Sequence, residues 1–172
     1  MKTAPTLTFD WLDEAHAEGL YTGFNDAEVS RFTAEKLPGS LEDLRREFAA
    51  FNAGPPPGST EIWMNWVIRE SGSQQLFGTL QATAFVDDSL WIGYKLVRSA
   101  WGRGIATGAV QWLLQELARY FPGRVVLAAV DTRNHASQRV LQKCGFGYVR
   151  SEPAEIRGEA TLDHVYQYRL PD

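Results

Sequence analysis

The stretch Trp101-Gly102-Arg103-Gly104-Ile105-Ala106 separates two segments of different hydrophobic period, and its reading decides the fold. Before it, residues 90–97 are rich in aromatic and branched side chains and read as a strand. After it, residues 104–120 place Ala106, Val110, Leu113, Leu114 and Leu117 at helical spacings, with Gln111, Gln115 and Arg119 on the other side. Two glycines between strand and helix let the backbone turn tightly with its N–H groups facing outward. The helix adds its unpaired first-turn N–H groups and the positive end of its dipole. Such a turn suits a phosphate or pyrophosphate, to which Arg98 and Arg103 can add full charges. An ordinary tight turn into a helix would use the same residues, and this segment alone does not choose between them.

A dinucleotide site is the obvious rival, because a strand, a glycine turn, a helix, the strand 125–130 and then Asp131 mimic that layout. Two features weigh against it. The third glycine of that fingerprint falls at Thr107, and too little chain follows Asp131 for a doubly wound sheet.

Working outward, Gly123 stops the helix, and residues 125–130 are apolar throughout, as expected of a strand covered on both faces in a partly parallel sheet. Asn134 caps a second helix with Ala136, Val140 and Leu141 inward, ended by Gly145 in a left-handed position. Residues 146–151 and 162–170 read as two closing strands. Upstream, residues 61–69, 75–86 and 90–97 form an antiparallel meander, with Ser71-Gly72-Ser73 and Asp87-Asp88-Ser89 as its turns. The breaker cluster Gly54-Pro55-Pro56-Pro57-Gly58-Ser59 is a loop within the domain. Ahead of it come a short strand at 7–11, helical segments near 13–20 and 25–32, and a helix through Leu44, Phe48 and Phe51 opened by Ser40 and Asp43. The class is mixed α/β.

The chain has 172 residues, which fits one domain able to bury a core without staples. Its net charge of −4 argues against nucleic-acid binding, which needs clustered cations, and suits a cationic acceptor. Cys144 is the only cysteine, so neither an intrachain disulfide nor a Cys-rich metal site is expected. Residues 1–13 lack the apolar core of a signal peptide, and the longest aliphatic run, 125–130, is far short of the ~20 residues of a membrane span. A soluble, cytoplasmic protein is expected.

Residues 101–106 resemble the acyl-coenzyme A signature of the GNAT N-acetyltransferase superfamily: glutamine or arginine, two residues, glycine, one residue, then glycine or alanine. Gly102, Gly104 and Ala106 fit; Trp101 replaces the usual polar residue but leaves the backbone cradle intact. A second match, Asn134-His135-Ala136-Ser137 followed by Val140-Leu141-Gln142-Lys143-Cys144-Gly145-Phe146, resembles the family's Asn-x-x-Ser helix and its terminal Lys-x-Gly-Phe. Looser likeness extends over the whole chain, including Ile92-Gly93-Tyr94 and residues 25–29, and is most similar to the subfamily that acetylates ribosomal-protein N-termini and various small amines.

The resemblance implies a single domain over residues 1–172, with a mixed, mostly antiparallel sheet of six to seven strands, splayed where acetyl-CoA binds and flanked by helices. It implies acetyl-CoA as cosubstrate and a primary amine as acceptor, either a protein N-terminus or a small molecule, with no metal, nucleic acid or membrane involved. The protein would be a monomer or a homodimer. Pantetheine would lie in the splay beside Leu96 and Val97, and pyrophosphate would sit on the backbone of Trp101, Gly102, Arg103, Gly104, Ile105, Ala106 and Thr107. Asn134 and Ser137 would complete the cosubstrate site. Many members use a helix tyrosine as the acid; here that position is Leu141, and the subfamily's alternative maps to Ser137. Ser137 is equally readable as a first-turn residue bonded to backbone. Glu155, in an expected long connection between the last two strands, resembles the subfamily's water-activating glutamate, with Asp131, Glu61 and the pair Asp163-His164 as competitors. His135 and His164 are candidate acid–base groups by residue type, but no metal-ligand spacing accompanies them. Trp63, Trp66 and Trp91 lie on the meander, as cleft walls or as core.

An α-amine with pKa about 8 is roughly a tenth neutral at pH 7, whereas a lysine near 10.4 is almost wholly charged. A site without a strongly signalled base therefore fits weakly basic amines better. The absent helix tyrosine and Trp101 also leave open a CoA-binding sensor without turnover.

Overall fold

In the computed structural model, which describes residues 5–172, seven strands form one sheet in the order β1-β2-β3-β4-β5-β7-β6. The leader-sequence reading of residues 1–13 lies partly outside the described residues. The strands are β1 (Leu7–Trp11), β2 (Ile62–Glu70), β3 (Leu76–Ala84), β4 (Ser89–Leu96), β5 (Val125–Asp131), β6 (Gly147–Ile156) and β7 (Glu159–Arg169). Helices α1 (Ala17–Phe24) and α2 (Leu41–Ala53) fall between β1 and β2; α3 (Ile105–Tyr120) joins β4 to β5, and α4 (His135–Lys143) joins β5 to β6. Every pairing is antiparallel except β4 with β5. That is the mixed, mostly antiparallel sheet expected from the sequence, and the α3 crossover is what makes its one parallel pair possible.

The site is made by a failure of pairing. Strands β4 and β5 keep register only at Ser89↔Val125, Leu90↔Val126 and Trp91↔Leu127. Beyond Trp91 they part, while β4 stays paired to β3 as far as Leu96 and β5 to β7 as far as Asp131. A wedge opens toward their C-terminal ends, beside the start of α3.

The periodic elements form where the pattern placed them, because their apolar stripes have something to cover. Val110, Leu113 and Leu117 of α3 are fully buried, and Leu141 anchors α4. The Ser40 hydroxyl accepts the Asp43 N–H at 3.0 Å and so opens α2. Phe9 stacks on Trp112 at 4.0 Å, and Trp66 meets that indole edge-on at 5.6 Å, tying α3 to β1 and β2.

Two expectations are corrected. Residues 25–32 are not helical: Asn25 ends α1, and the chain continues through three-residue turns such as Val29 N–H to Asp26 O (3.0 Å) and Thr33 N–H to Ser30 O (3.2 Å). The Arg157 guanidinium donates to the carbonyls of Ser30 (2.9 Å), Thr33 (2.6 Å) and Glu35 (3.2 Å), a long-range clamp that fixes this loop in a non-helical path. The last two strands are also longer than expected, and no long connection separates them. They form a hairpin turned by Arg157 and Gly158, both at positive φ (50° and 86°), the geometry of a tight primed turn. Pro153 is accommodated because β6 is an edge strand, where a proline is tolerated.

Candidate active site

Gly102 (φ 67°) and Gly104 (φ 74°) turn the chain from β4 into α3. An L side chain there would meet the left-handed penalty of roughly 1–2 kcal/mol. Gly104 is the N-cap of α3 and offers no side chain to its amides. The Trp101 N–H bonds to Arg98 O and the Gly108 N–H to Gly104 O; among the described residues, none of the six N–H groups from 102 to 107 has an acceptor. Of these residues, Gly102, Gly104, Ile105, Ala106 and Thr107 line a groove of about 520 Å³ that runs from the turn along the end of β4 to the start of α4.

Of the residues expected at the cosubstrate, Leu96, Trp101, Gly102, Gly104, Ile105, Ala106, Thr107, Asn134 and Ser137 line this groove. Two do not. Val97 is buried, closely packed on Gly23 of α1. The Arg103 guanidinium lies over the Phe77 ring, 5.0 Å from its centroid, and donates to Ser99 O. Arg98 is likewise engaged elsewhere, in an ion pair with Asp26 at 3.0 Å. The groove's cations are instead Arg31, Lys95, Arg139 and Lys143. Arg139 and Lys143 stand four residues apart on α4, a spacing that could have revealed them as neighbours on one face. The exposed Trp101 donates its indole N–H to Leu96 O at 3.1 Å, joining the turn to the end of β4.

The groove is continuous with an inner chamber of about 240 Å³, and Phe32, Thr33, Tyr94, Lys95, Asn134 and Ser137 border both. At this junction the Tyr94 hydroxyl lies 2.6 Å from Ser137 Oγ. Burial pushes the Tyr94 phenol up to about 12. Asn134 does what its cap reading required, accepting the Ser137 N–H at 3.2 Å, while also lining the groove. Leu141 contributes only an apolar wall. A phenol thus comes from β4 rather than from the helix. Sequence reading placed Tyr94 on the strand but gave no sign of this role, because nothing local says that β4 and α4 converge there.

Four carboxylates line the chamber: Glu35, Glu47, Asp131 and Asp163. Asp131 is buried and bonded by Arg133 at 2.8 and 2.9 Å, which holds its carboxyl below the usual range. Glu35 is ion-paired with Lys95. Glu47 and Asp163 have no cationic partner among the described residues, and burial raises both, helped at Glu47 by Glu35 and at Asp163 by Asp131 and Glu152. Glu155 is exposed on β6, within the hairpin rather than in a loop, and lines neither cavity. Glu61 accepts the Trp63 indole N–H at 2.7 Å and His164 meets Ser151 Oγ at 2.7 Å; neither they nor His135 line the groove or the chamber. Trp63, Trp66 and Trp91 also lie outside the chamber, Trp66 as core. Its aromatic wall comes from the N-terminal half: Phe24, Phe32, Phe48 and Phe51.

A family model, the acetyltransferase (GNAT) domain, matches residues 6–147. No curated protein matches the chain. Among solved structures, the fold is similar to a RimL ribosomal L7/L12 α-N-protein acetyltransferase in complex with coenzyme A (TM-score 0.82, 20% identity, covering 98% of this chain and 97% of that one). It is also similar to the Salmonella typhimurium acetyl transferase that modifies the N-terminal serine of L7/L12 (TM-score 0.81, 20% identity, 95% of each chain). A third likeness is to spermidine N-acetyltransferase from Vibrio cholerae, in complex with CoA and spermine (TM-score 0.78, 14% identity, 95% of each chain).

Proposed function

The chain belongs to the GNAT acetyltransferase family, and on that premise we propose that it is a cytoplasmic enzyme, one domain throughout, that transfers an acetyl group from acetyl-CoA to a primary amine. The observation that carries this reading is a run of amides without acceptors, five of them in residues that line a groove adjoining a carboxylate-lined chamber. Each link is chemical. Backbone N–H groups at a helix start suit a diphosphate, and Arg139 and Lys143 stand ready for further phosphate charge. The edge of β4 released from β5 leaves backbone groups free beside the pantetheine path. Nine of the eleven residues expected at the cosubstrate border this groove, and Val97 and Arg103 act behind it.

At the junction, the Tyr94–Ser137 hydroxyl pair supplies the proton that the departing thiolate needs. Ser137 faces the reacting atoms and Tyr94 replenishes it; a neutral phenol suits this at any pH near 7, because burial keeps its proton on. The amine must arrive neutral or lose its proton in the chamber. Asp163 is placed for that: it lines the chamber, lacks a cation, and its raised pKa makes it a better base than an exposed carboxylate. Glu155 has no such access. The acceptor is a small amine or a peptide N-terminus, the two acceptor classes represented by the similar structures.

Isothermal titration with acetyl-CoA, followed by thiol release over a panel of peptides and small amines, tests the reading. Saturable binding with turnover of at least one amine is expected. Binding without turnover by any amine would leave a CoA sensor instead.

A further inference from the structure

The chamber is over-supplied with negative charge for a single amine. Its carboxylates fall into two groups on different elements. Asp131 and Asp163 sit opposite each other on β5 and β7, and Arg133 neutralises only the first. Glu47 comes from α2 and Glu35 from the 26–39 loop, and Lys95 is their one cation. One uncompensated carboxylate therefore remains in each group. Helix α2 packs on β2, four places from β7 in the sheet, so the two uncompensated carboxylates stand apart.

A separate feature points to an occupant. Asn65 of β2 is 7% exposed, borders the chamber, and its carboxamide has no hydrogen-bond partner among the described residues. Gln81, its half-buried register partner on β3, borders the same space. A buried carboxamide that borders the chamber is placed to bond a polar ligand there.

Resting on the reading of the chain as an amine acetyltransferase, we propose that the acceptor carries a second cationic group, as in a short diamine, and that Glu47, with Asn65 beside it, holds that second charge while Asp163 serves the reacting nitrogen. Two carboxylates without an ion-pair partner, set apart along one chamber, match two ammonium groups on one flexible chain. A mono-amine satisfies one and leaves the other desolvated and unpaired. Glu47 is here a specificity residue: it touches the substrate away from the bond being made.

The test compares putrescine with butylamine, which share a carbon chain and differ in one ammonium group. Thiol release is measured with each, for the parent enzyme and for Glu47→Gln and Glu47→Asp, alongside calorimetric titration of acetyl-CoA. A kcat/KM ratio favouring putrescine by about tenfold or more is expected in the parent, the worth of one part-buried ion pair. Glu47→Gln should collapse that ratio toward one, mainly through KM, and Glu47→Asp should recover part of it. Equal use of both amines by the parent, or a ratio unmoved by Glu47→Gln, overturns the inference while leaving the acetyltransferase reading intact. Failure of the parent to bind acetyl-CoA would remove that reading itself.

Discussion

Replacing Gly104 with valine separates the backbone's role in the turn from everything else in the groove. Gly104 sits at φ 74°, where a β-branched residue is a pronounced outlier. If valine stays in the left-handed region, the fold loses roughly 1–2 kcal/mol or somewhat more, and the amides remain in place. If it escapes to negative φ, the N–H groups of Gly104 and Ile105 swing away from the groove. Hydrogen bonds to a charged partner are worth roughly 1.5–3 kcal/mol each, so two lost contacts weaken CoA binding by about 3–6 kcal/mol, roughly 10²–10⁴-fold in Kd. The γ-methyls obstruct the same space in either case. The assay is calorimetric titration of CoA and, in parallel, of pantetheine, which has no diphosphate. Gly104→Val should lose CoA affinity by at least 10²-fold, keep what affinity it has for pantetheine, and retain a native circular-dichroism spectrum. A folded variant that binds CoA like the parent would refute the placement of the diphosphate on residues 102–107.

Other expectations concern the chemistry. Ser137→Ala and Tyr94→Phe should each lower kcat by about 10²-fold with little change in acetyl-CoA affinity, and the double variant should lose no more than the worse single one if the hydroxyls act as a relay; additive losses in stopped-flow thiol release would count against the relay. The carboxyl of Asp163 is raised by burial, so kcat/KM should climb with pH along a limb set higher than that of an exposed carboxylate. Asp163→Asn should flatten this limb, whereas Glu155→Gln should leave it; the reverse pattern would return the role to Glu155. Because the folded state holds the Asp163 proton more tightly than the unfolded chain, the stability tied to that proton is present at low pH and lost as pH rises through the folded value. Asp163→Asn should therefore raise Tm at pH 7, and a lowered Tm in thermal denaturation would contradict the burial argument. Arg157→Ala should release the carbonyls of Ser30, Thr33 and Glu35 and raise KM for the amine about tenfold, read in the same thiol-release assay; an unchanged KM would mean the clamp does not shape the chamber.

How far the sequence could be read depends on whether the relevant information is local. Helix α3, strand β5 and helix α4 were legible because period, cap and stop signals all sit within a few residues, and the glycine turn was legible because positive φ leaves a mark in residue type. The 25–32 loop was not, since its shape depends on a guanidinium more than a hundred residues away. The final hairpin was not legible because nothing local separates two long strands turned at Arg157-Gly158 from short strands with a long connection. The lining of the groove was largely readable, because most of it comes from two contiguous motifs. The rest of the site was not. Arg103 was read as a groove cation but turns back over Phe77, and the chamber draws Glu47, Asn65, Tyr94 and Asp163 from four elements that only tertiary packing brings together.

A crystal structure with acetyl-CoA tests the central claim most directly. The diphosphate oxygens should lie within hydrogen-bond distance of the amides between 102 and 107, with the thioester sulfur beside Ser137 Oγ at the mouth of the chamber. Acetyl-CoA bound with its diphosphate elsewhere, or with its thioester facing away from Tyr94 and Ser137, would contradict it.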